Sequence, residues 1–360
     1  MGFNNEEERL NLSIKMTTAT ELCQIEGSID GKDTKDKMSV VVFKTQKVLA
    51  ENSFGEKKPA TVPYFSGNGF RGKMRRIGFG ILFRKAIEKG YPLPDRHNYH
   101  IMENGGSNIY HSQQRYDVID EIRELNPLVS VFGASLFIPS KLVTPNYIPY
   151  KRVVDGEKPE YYLVEREDGS LVSYIKGNET FVKEDTLADN RGNAKYMSKE
   201  ERDAWLEEVA ENQANVSKTR NNEDGERAKK ITVKSRLSRN YVIRGVDYYS
   251  ALTETPTEKM NGIERGLVYR IVEEFVVGRF GGNIAKGFGL VDFSIKGINE
   301  NDNTIIETLI DHRLVPTFAS KIWSEQAQKD IALFDEWLEN DFSEESFRLS
   351  EKLKKISKFQ

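Results

Sequence analysis

The chain has 360 residues, with 53 Lys and Arg against 56 Asp and Glu, and a formal net charge of -3. Charged residues make up 30% of it and hydrophobic residues 38%, which is typical of a soluble folded protein and excludes a membrane-spanning or wholly disordered chain. The near balance of charge also excludes a uniformly basic protein. The length allows one large domain with insertions, or two domains.

Cysteine and histidine offer little for metal or redox chemistry. Cys23 is the single cysteine, so it can form neither an internal disulfide nor a cysteine-based zinc site. His97 and His100 lie close together in a Pro-rich stretch, which favours a solvated loop over a metal pair. The acidic N-terminus lacks an apolar signal segment, and no apolar run is long enough to span a bilayer. We therefore expect no metal, no cofactor, no membrane contact and a cytoplasmic location.

Apolar patterning predicts two strands and a long helix in the first quarter of the chain. Leu12 to Met16 alternates apolar and polar residues, and an apolar run at 40–43 follows a charged turn at 31–37. A helix is predicted between Gly67 and Gly90, because apolar side chains recur four, three and four residues apart. These side chains are Phe70, Met74, Ile77 and Ile81.

The later elements are predicted from shorter patterns. A short helix is expected before Pro127, and the apolar run at 128–138 predicts a strand followed by a turn. Further strands are predicted at 266–277 and 290–295. Amphipathic helices are predicted after Phe318.

Residues 151–235 change in character, and we interpret them as an insertion into a domain. Asp168 and Gly169 mark the turn of a charged hairpin. A short surface helix is predicted at 199–211, and the polar stretch at 212–226 carries no element of its own.

The six residues from Gly67 to Gly72 match the G-x-G-x-x-G pattern of dinucleotide-binding sites. That site also requires a strand before the glycines and a second parallel strand after the helix. Pro63 weakens the prediction of a strand before the glycines, and the polar, Pro-containing residues 91–100 exclude a parallel strand after the helix. A nucleotide-binding enzyme is therefore disfavoured.

The predicted helix concentrates positive charge. Seven Lys and Arg between Gly67 and Lys89 face a single acid, Glu88, and three arginines lie on its first turns. A helix N-terminus favours anions and disfavours cations, so a bound phosphate would account for this arrangement. A solvated basic face is the alternative that the sequence leaves open.

Two further segments could meet a nucleic acid. Phe280 to Gly289 holds four glycines and Lys286 between two predicted strands, which suits either a ligand contact or a long hairpin connection. Residues 218–244 carry nine Lys and Arg with Tyr241 among them, a pattern that favours a sugar-phosphate backbone and stacked bases. Charge runs of this kind are also common on plain solvated surfaces.

Three carboxylates in the early loop form the one candidate metal site. Asp30, Asp33 and Asp36 are spaced as Mg²⁺ ligands could be, but three lysines interrupt them. A charged turn is the better prediction.

The order of these motifs resembles the RAMP superfamily of CRISPR proteins, specifically the backbone subunits of the "Cas seven" group. The resemblance rests on the phrase from Pro63 to Arg75, which opens a helix, on the Val-Phe-Gly at 131–133, and on the late glycine loop at 281–289. It covers roughly residues 10–140 and 230–297. Asn68 and Gly69 stand where the family often has serines.

The resemblance implies an α+β fold with an RRM-like (ferredoxin-like) palm. The palm is expected over 10–150 and 236–300, with an insertion at 151–235 that contains a thumb hairpin. A helical C-terminal extension is expected over 301–360.

The resemblance also implies which residues bind the guide RNA. They form three groups, at the start of the helix, late in the insertion and in the glycine loop. They are Ser66, Gly67, Asn68, Gly69, Arg71, Lys73, Arg75, Arg76, Lys218, Arg220, Lys234, Arg236, Arg239, Arg244, Gly281, Gly282, Asn283 and Lys286.

The function implied is that of a non-catalytic subunit that oligomerises along the guide RNA and presents it to a target. Its expected partners are guide RNA, complementary target nucleic acid, copies of itself and other CRISPR effector subunits. Type IV is the closest subtype, with type I-D or type III next. The alternative is a type III-like subunit that cleaves target RNA with Asp33 or Asp36 and Mg²⁺, although the residues around them differ from the family pattern.

Overall fold

The computed structural model divides the chain into two compact units. The first contains Met1–Gln24, Lys44–Gly177 and Tyr241–Gln360, and the second contains Ile25–Phe43 and Asn178–Asn240. The residues that the structure describes are 9–22, 25–30, 38–105, 116–134, 138–151, 160–186, 198–200, 203–204, 232–281, 287–299 and 302–349.

The first unit is built on an antiparallel sheet of seven strands, so the predicted mixed helix and sheet class is confirmed. The strands run in the order β15-β14-β13-β1-β12-β6, and β7 also pairs with β12. They are β1 (Asn11–Thr18), β6 (Leu142–Val143), β7 (Ile148–Pro149), β12 (Asp247–Glu254), β13 (Val291–Gly297), β14 (Ile305–Ile310) and β15 (Pro316–Ile322).

Seven helices in the described residues belong to the same unit. They are α1 (Gly67–Glu88), α2 (Arg96–Asn104), α3 (Tyr116–Leu125), α4 (Pro127–Phe132), α5 (Gly262–Val276), α6 (Glu325–Asn340) and α7 (Glu344–Arg348). The predictions of α1, of a short helix before Pro127 and of C-terminal helices are confirmed. Among the helices of the described ranges, none has the length and apolarity needed to cross a membrane.

Strand β1 lies at the centre of the sheet, as its alternation requires. Leu12, Ile14 and Met16 are fully buried, while the residues between them are more exposed. Alternate side chains of a strand point to opposite faces, so one face of β1 forms core. The predicted strand at Leu12–Met16 is therefore confirmed.

Two segments predicted as strands are helices. Residues 266–277 lie mostly in α5, which begins with a reciprocal cap between Asn261 and Glu264. Residues 128–132 lie in α4, where Asn126 caps the N-terminus and Pro127 occupies the first turn. Every residue of α4 is buried, and α5 keeps a narrow polar side formed by Arg270, Glu273 and Glu274, so neither sequence shows the broad polar face of a surface helix.

The C-terminal region is not wholly helical. Strands β14 and β15 occupy much of 305–322 and extend the central sheet beyond β13. The prediction of a helical extension over 301–360 is therefore wrong for this part, and it agrees with the structure from Glu325 onward.

Two small hairpins complete the first unit. β4 (Thr45–Glu51) pairs with β5 (Lys57–Pro63), and β8 (Leu163–Glu165) pairs with β9 (Leu171–Ser173). The second pair confirms the hairpin predicted around Asp168 and Gly169. It belongs to the first unit.

The second unit is a four-stranded sheet in the order β10-β11-β3-β2. Its strands are β2 (Ile25–Asp30), β3 (Met38–Phe43), β10 (Lys176–Thr186) and β11 (Thr232–Val242). The predicted strand at 40–43 is confirmed. Residues 25–43 thus group with residues 178–240, although the sequence assigned them to the palm. The surface helix predicted at 199–211 has only four described residues, and the polar stretch at 212–226 lies outside the described residues.

Candidate nucleic-acid interface

Helix α1 begins at a close approach between two chain segments. A Cβ at Gly67 would lie 1.9 Å from the carbonyl oxygen of Thr144, so only glycine fits. The Gly67 N–H donates to Asn146 Oδ1 at 3.0 Å. Ser66 precedes the helix without capping it through its side chain, and no acid lies in the first turn. No carboxylate in the first turn therefore offsets the positive end of this helix.

An aromatic cluster joins the start of α1 to the glycine loop after α5. The Phe70 ring stacks on Tyr147 at 4.1 Å between centroids and lies 5.5 Å from both Phe275 and Phe280. Phe280 in turn pairs with the end of the loop, because its N–H donates to the Gly289 carbonyl at 2.9 Å. The structure thus brings together the two glycine motifs that the sequence singled out.

Lys73 reinforces this junction from within. Its ammonium lies 3.6 Å from the centroid of the Phe280 ring and donates to the carbonyl of Arg279. Burial, with the nearby charge of Arg76 as a smaller cause, lowers the pKa of Lys73 to about 8. The structure therefore places Lys73 as a support for the loop, where the sequence predicted a direct RNA contact.

Arg75 has a structural role. Its guanidinium is buried and donates to the carbonyls of Met102 and Ile101, both at 2.8 Å, and of Phe132 at 3.3 Å. The Met102 and Phe132 carbonyls lie in the last turns of α2 and α4, where carbonyl groups lack a partner inside the helix, while the Ile101 carbonyl also accepts the Gly105 N–H at 2.9 Å. The predicted phosphate contact of Arg75 stays a prediction, although each of its guanidinium nitrogens already donates inside the fold.

Arg71 and Arg76 are the basic residues of the first turns that remain for a ligand. Arg71 is partly exposed and Arg76 is exposed. Neither makes an ion pair or hydrogen bond with any residue in the described parts of the chain. By contrast, Arg84, further along the same helix, pairs with Glu274. Cations without an acidic partner in the described parts of the chain suit an anion.

The other predicted residues fall into several groups. Asn68 and Gly69 are exposed in the first turn of α1, and Gly281 is exposed with φ +76°. Arg244 is exposed and lies 3.5 Å from a carboxylate oxygen of Glu21. The backbone of β11 carries Lys234, Arg236 and Arg239. Outside the described residues lie Asp33, Asp36, Lys218, Arg220, Gly282, Asn283 and Lys286.

Sequence reasoning missed the residues that hold this surface together. Asn146, Tyr147 and Arg279 each contact the start of α1 or Lys73, although they lie far from it along the chain. Pattern and spacing carry no signal for such long-range contacts. Within the described residues, no cluster of three or more His, Cys, Asp or Glu could hold a metal ion.

Comparison with known proteins gives no match to a protein family and none among curated sequences. In structure, the chain is similar to a chain of a type IV-B CRISPR complex, with 11% identity and a TM-score of 0.45, over 80% of this chain and 91% of that one. It is also similar to Cmr6 from Pyrococcus furiosus, with 12% identity and a TM-score of 0.30, over 79% of this chain and 97% of that one.

Proposed function

We propose that this protein is a guide-RNA-binding backbone subunit of a CRISPR effector complex, without catalytic activity of its own. The observation that carries the proposal is the start of α1. There the helix N-terminus has no acid in its first turn, Arg71 and Arg76 have no partner in the described parts of the chain, and Phe70 packs against Phe280 at the beginning of the glycine loop. This geometry suits the phosphates of a single RNA strand.

The connectivity of the first unit supports an RRM-like palm. Its central elements follow one another as β1, α1, β6, β12, α5 and β13, with the strands in the order β13-β1-β12-β6. This is the β-α-β-β-α-β arrangement of ferredoxin-like folds. In the second unit, the long strands β10 and β11 are the segment to which we assign the thumb.

Each residue of the interface has a distinct role in the proposed binding. The positive end of the α1 dipole faces one phosphate, and Arg71 and Arg76 neutralise this phosphate and its neighbour. Lys73 holds the glycine loop against α1 through Phe280 and the Arg279 carbonyl. The RNA backbone is bound through charge, so binding weakens as salt rises.

Single substitutions at the two arginines test the proposal. Arg71→Gln or Arg76→Gln should weaken binding of a single-stranded RNA by roughly tenfold to a hundredfold, the value of one charged hydrogen-bond contact. Each should also reduce the slope of log affinity against log salt by about 0.7. Arg84→Gln is the matched control, because it removes one charge from the same helix at a residue that already has a partner.

The native assembly offers a second readout. The purified wild-type protein should carry RNA and form oligomers that shrink on RNase treatment, and Arg71→Gln should yield smaller, RNA-poor species. A wild-type protein free of RNA, or variants that bind and assemble as Arg84→Gln does, would refute the proposal.

Cleavage separates the proposed function from its enzymatic alternative. A binding subunit leaves a complementary RNA intact in the presence of Mg²⁺. Cleavage of that RNA by the wild type, abolished in Asp33→Ala or Asp36→Ala, would instead identify a type III-like nuclease. Type IV is the subtype we propose, with type I-D or type III next. Copies of this chain, other effector subunits and a complementary target strand are its proposed partners.

A further inference from the structure

The turn between β14 and β15 is held in an unusual backbone conformation. Asp311 fixes it, since its Oδ1 accepts the N–H groups of Arg313 and Val315 at 2.8 and 3.0 Å, and its Oδ2 accepts the Arg313 guanidinium. Leu314 then adopts φ +57°, in the left-handed region that L residues other than Asn, Asp and Gly rarely enter. A glycine or asparagine would form this turn with less strain, so backbone geometry does not explain the leucine.

The same turn presents apolar side chains to solvent. Leu314 is 55% exposed and Val315 is 45% exposed, and Arg313 and His312 beside them are also exposed. An exposed leucine in a strained position contributes little to folding, because it buries little surface and disfavours its own backbone conformation. Such a residue points to a role in contacting something outside the fold.

A chain of contacts links this turn to the candidate interface. The guanidinium of Arg279 donates to the Leu314 carbonyl at 3.1 Å. The Arg279 carbonyl accepts the ammonium of Lys73, whose pKa is in turn influenced by the charge of Arg76. Arg279 therefore connects the turn to Lys73, in the second turn of α1.

We propose that Leu314, at the β14–β15 turn, packs against a base of the RNA strand whose phosphates lie at Arg71 and Arg76. The inference rests on the proposed function and extends it to residues that the motifs did not indicate. A nucleotide combines an anionic phosphate with an apolar base, and this surface combines unpaired cations with an exposed apolar turn. A partner that was only anionic or only apolar would leave either the apolar turn or the arginines without a matching group.

Leu314→Asn isolates the apolar contact, because asparagine has nearly the same shape and tolerates the left-handed conformation. Leu93→Asn is the matched control, since Leu93 is 53% exposed and lies beyond the opposite end of α1. Affinity is measured for a short oligouridylate and for an abasic oligomer of the same length and charge. Leu314→Asn should bind the oligouridylate about fivefold more weakly than the wild type does, at the low end of the effect of a base-packing contact. It should bind the abasic oligomer as tightly as the wild type does. Leu93→Asn should match the wild type on both.

Several outcomes would overturn the inference. An equal loss on both oligomers would mean that the turn contacts the sugar-phosphate backbone, and no loss on either would exclude an RNA contact. A change in oligomer size without a change in affinity would identify the turn as a protein contact. If Arg71→Gln weakens binding while Leu314→Asn does not, this inference fails and the proposed function stands. If the wild type binds neither oligomer, the proposed function fails with it.

Discussion

Replacing Lys73 by methionine removes a charge that the fold holds partly out of water. The ammonium contacts the Phe280 ring and the Arg279 carbonyl, and burial lowers its pKa from 10.5 to about 8. Methionine has similar length and packs well against aromatic rings. We therefore expect Lys73→Met to fold and to keep the glycine loop near α1, while it loses the titration of this group.

The sign and size of the pH effect follow from linkage. The pKa of Lys73 is lower in the folded state, so between about pH 8 and pH 10.5 the unfolded chain binds more protons than the folded one. Stability must then rise with pH across this window. From pH 7 to pH 10 the wild type should gain about 2.5 kcal/mol in the free energy of unfolding from this one group.

Urea unfolding of both proteins at several pH values tests this reasoning. Other groups titrate in the same range, but they contribute equally to both proteins and cancel in the difference. The free energy of unfolding of the wild type minus that of Lys73→Met should therefore increase by about 2.5 kcal/mol as pH rises from 7 to 10. A difference that stays constant would show that the ammonium is well solvated, and the support assigned to Lys73 would then be wrong.

Four other substitutions follow from the packing of α1. Arg75→Met should cost about 3–5 kcal/mol in urea unfolding, because buried carbonyls lose their donors, and it should leave the salt dependence of RNA binding unchanged. Gly67→Ala should cost about 3 kcal/mol through its clash with the Thr144 carbonyl, whereas Gly80→Ala should stabilise the helix by about 1 kcal/mol because the space beside it is open. Gly72→Ala should stabilise the protein by about 1 kcal/mol and yet weaken RNA binding, if the RNA backbone approaches α1 there. Equal RNA affinity in the Gly72 and Gly80 variants would contradict that approach.

The parts of the fold that the sequence predicted are those with a clear local period. β1 has one buried face and α1 has regularly spaced apolar residues, so both were located from pattern alone. The segment 266–277 was predicted as a strand because core-facing residues extend around most of α5. Gly266 also lies against α6, at a position where a polar residue would otherwise mark an exposed side. A buried helix and a buried strand have similar apolar sequences, and the capping pair of Asn261 and Glu264 was the local signal that separates them.

The candidate site was predicted from its motifs, and the structure separates the environments of the residues in it. Charge on the first turns of α1 was interpreted as one group, yet the structure gives its members three different environments. Arg75 is buried on backbone carbonyls, Lys73 lies on an aromatic ring, and Arg71 and Arg76 remain unpaired. Spacing could not separate them, because their partners at 101–102, 132 and 279–280 are distant in sequence.

This division changes how positive charge on a helix should be interpreted. A buried arginine that satisfies carbonyl groups stabilises the scaffold, and removing it would weaken RNA binding indirectly by destabilising the site. Loss of binding in an Arg75 variant would therefore say nothing about phosphate contacts. Only variants at Arg71 and Arg76, matched to Arg84 on the same helix, separate a binding role from a folding role. The proposed function is consequently decided at two residues, although the sequence offers seven basic residues on this helix.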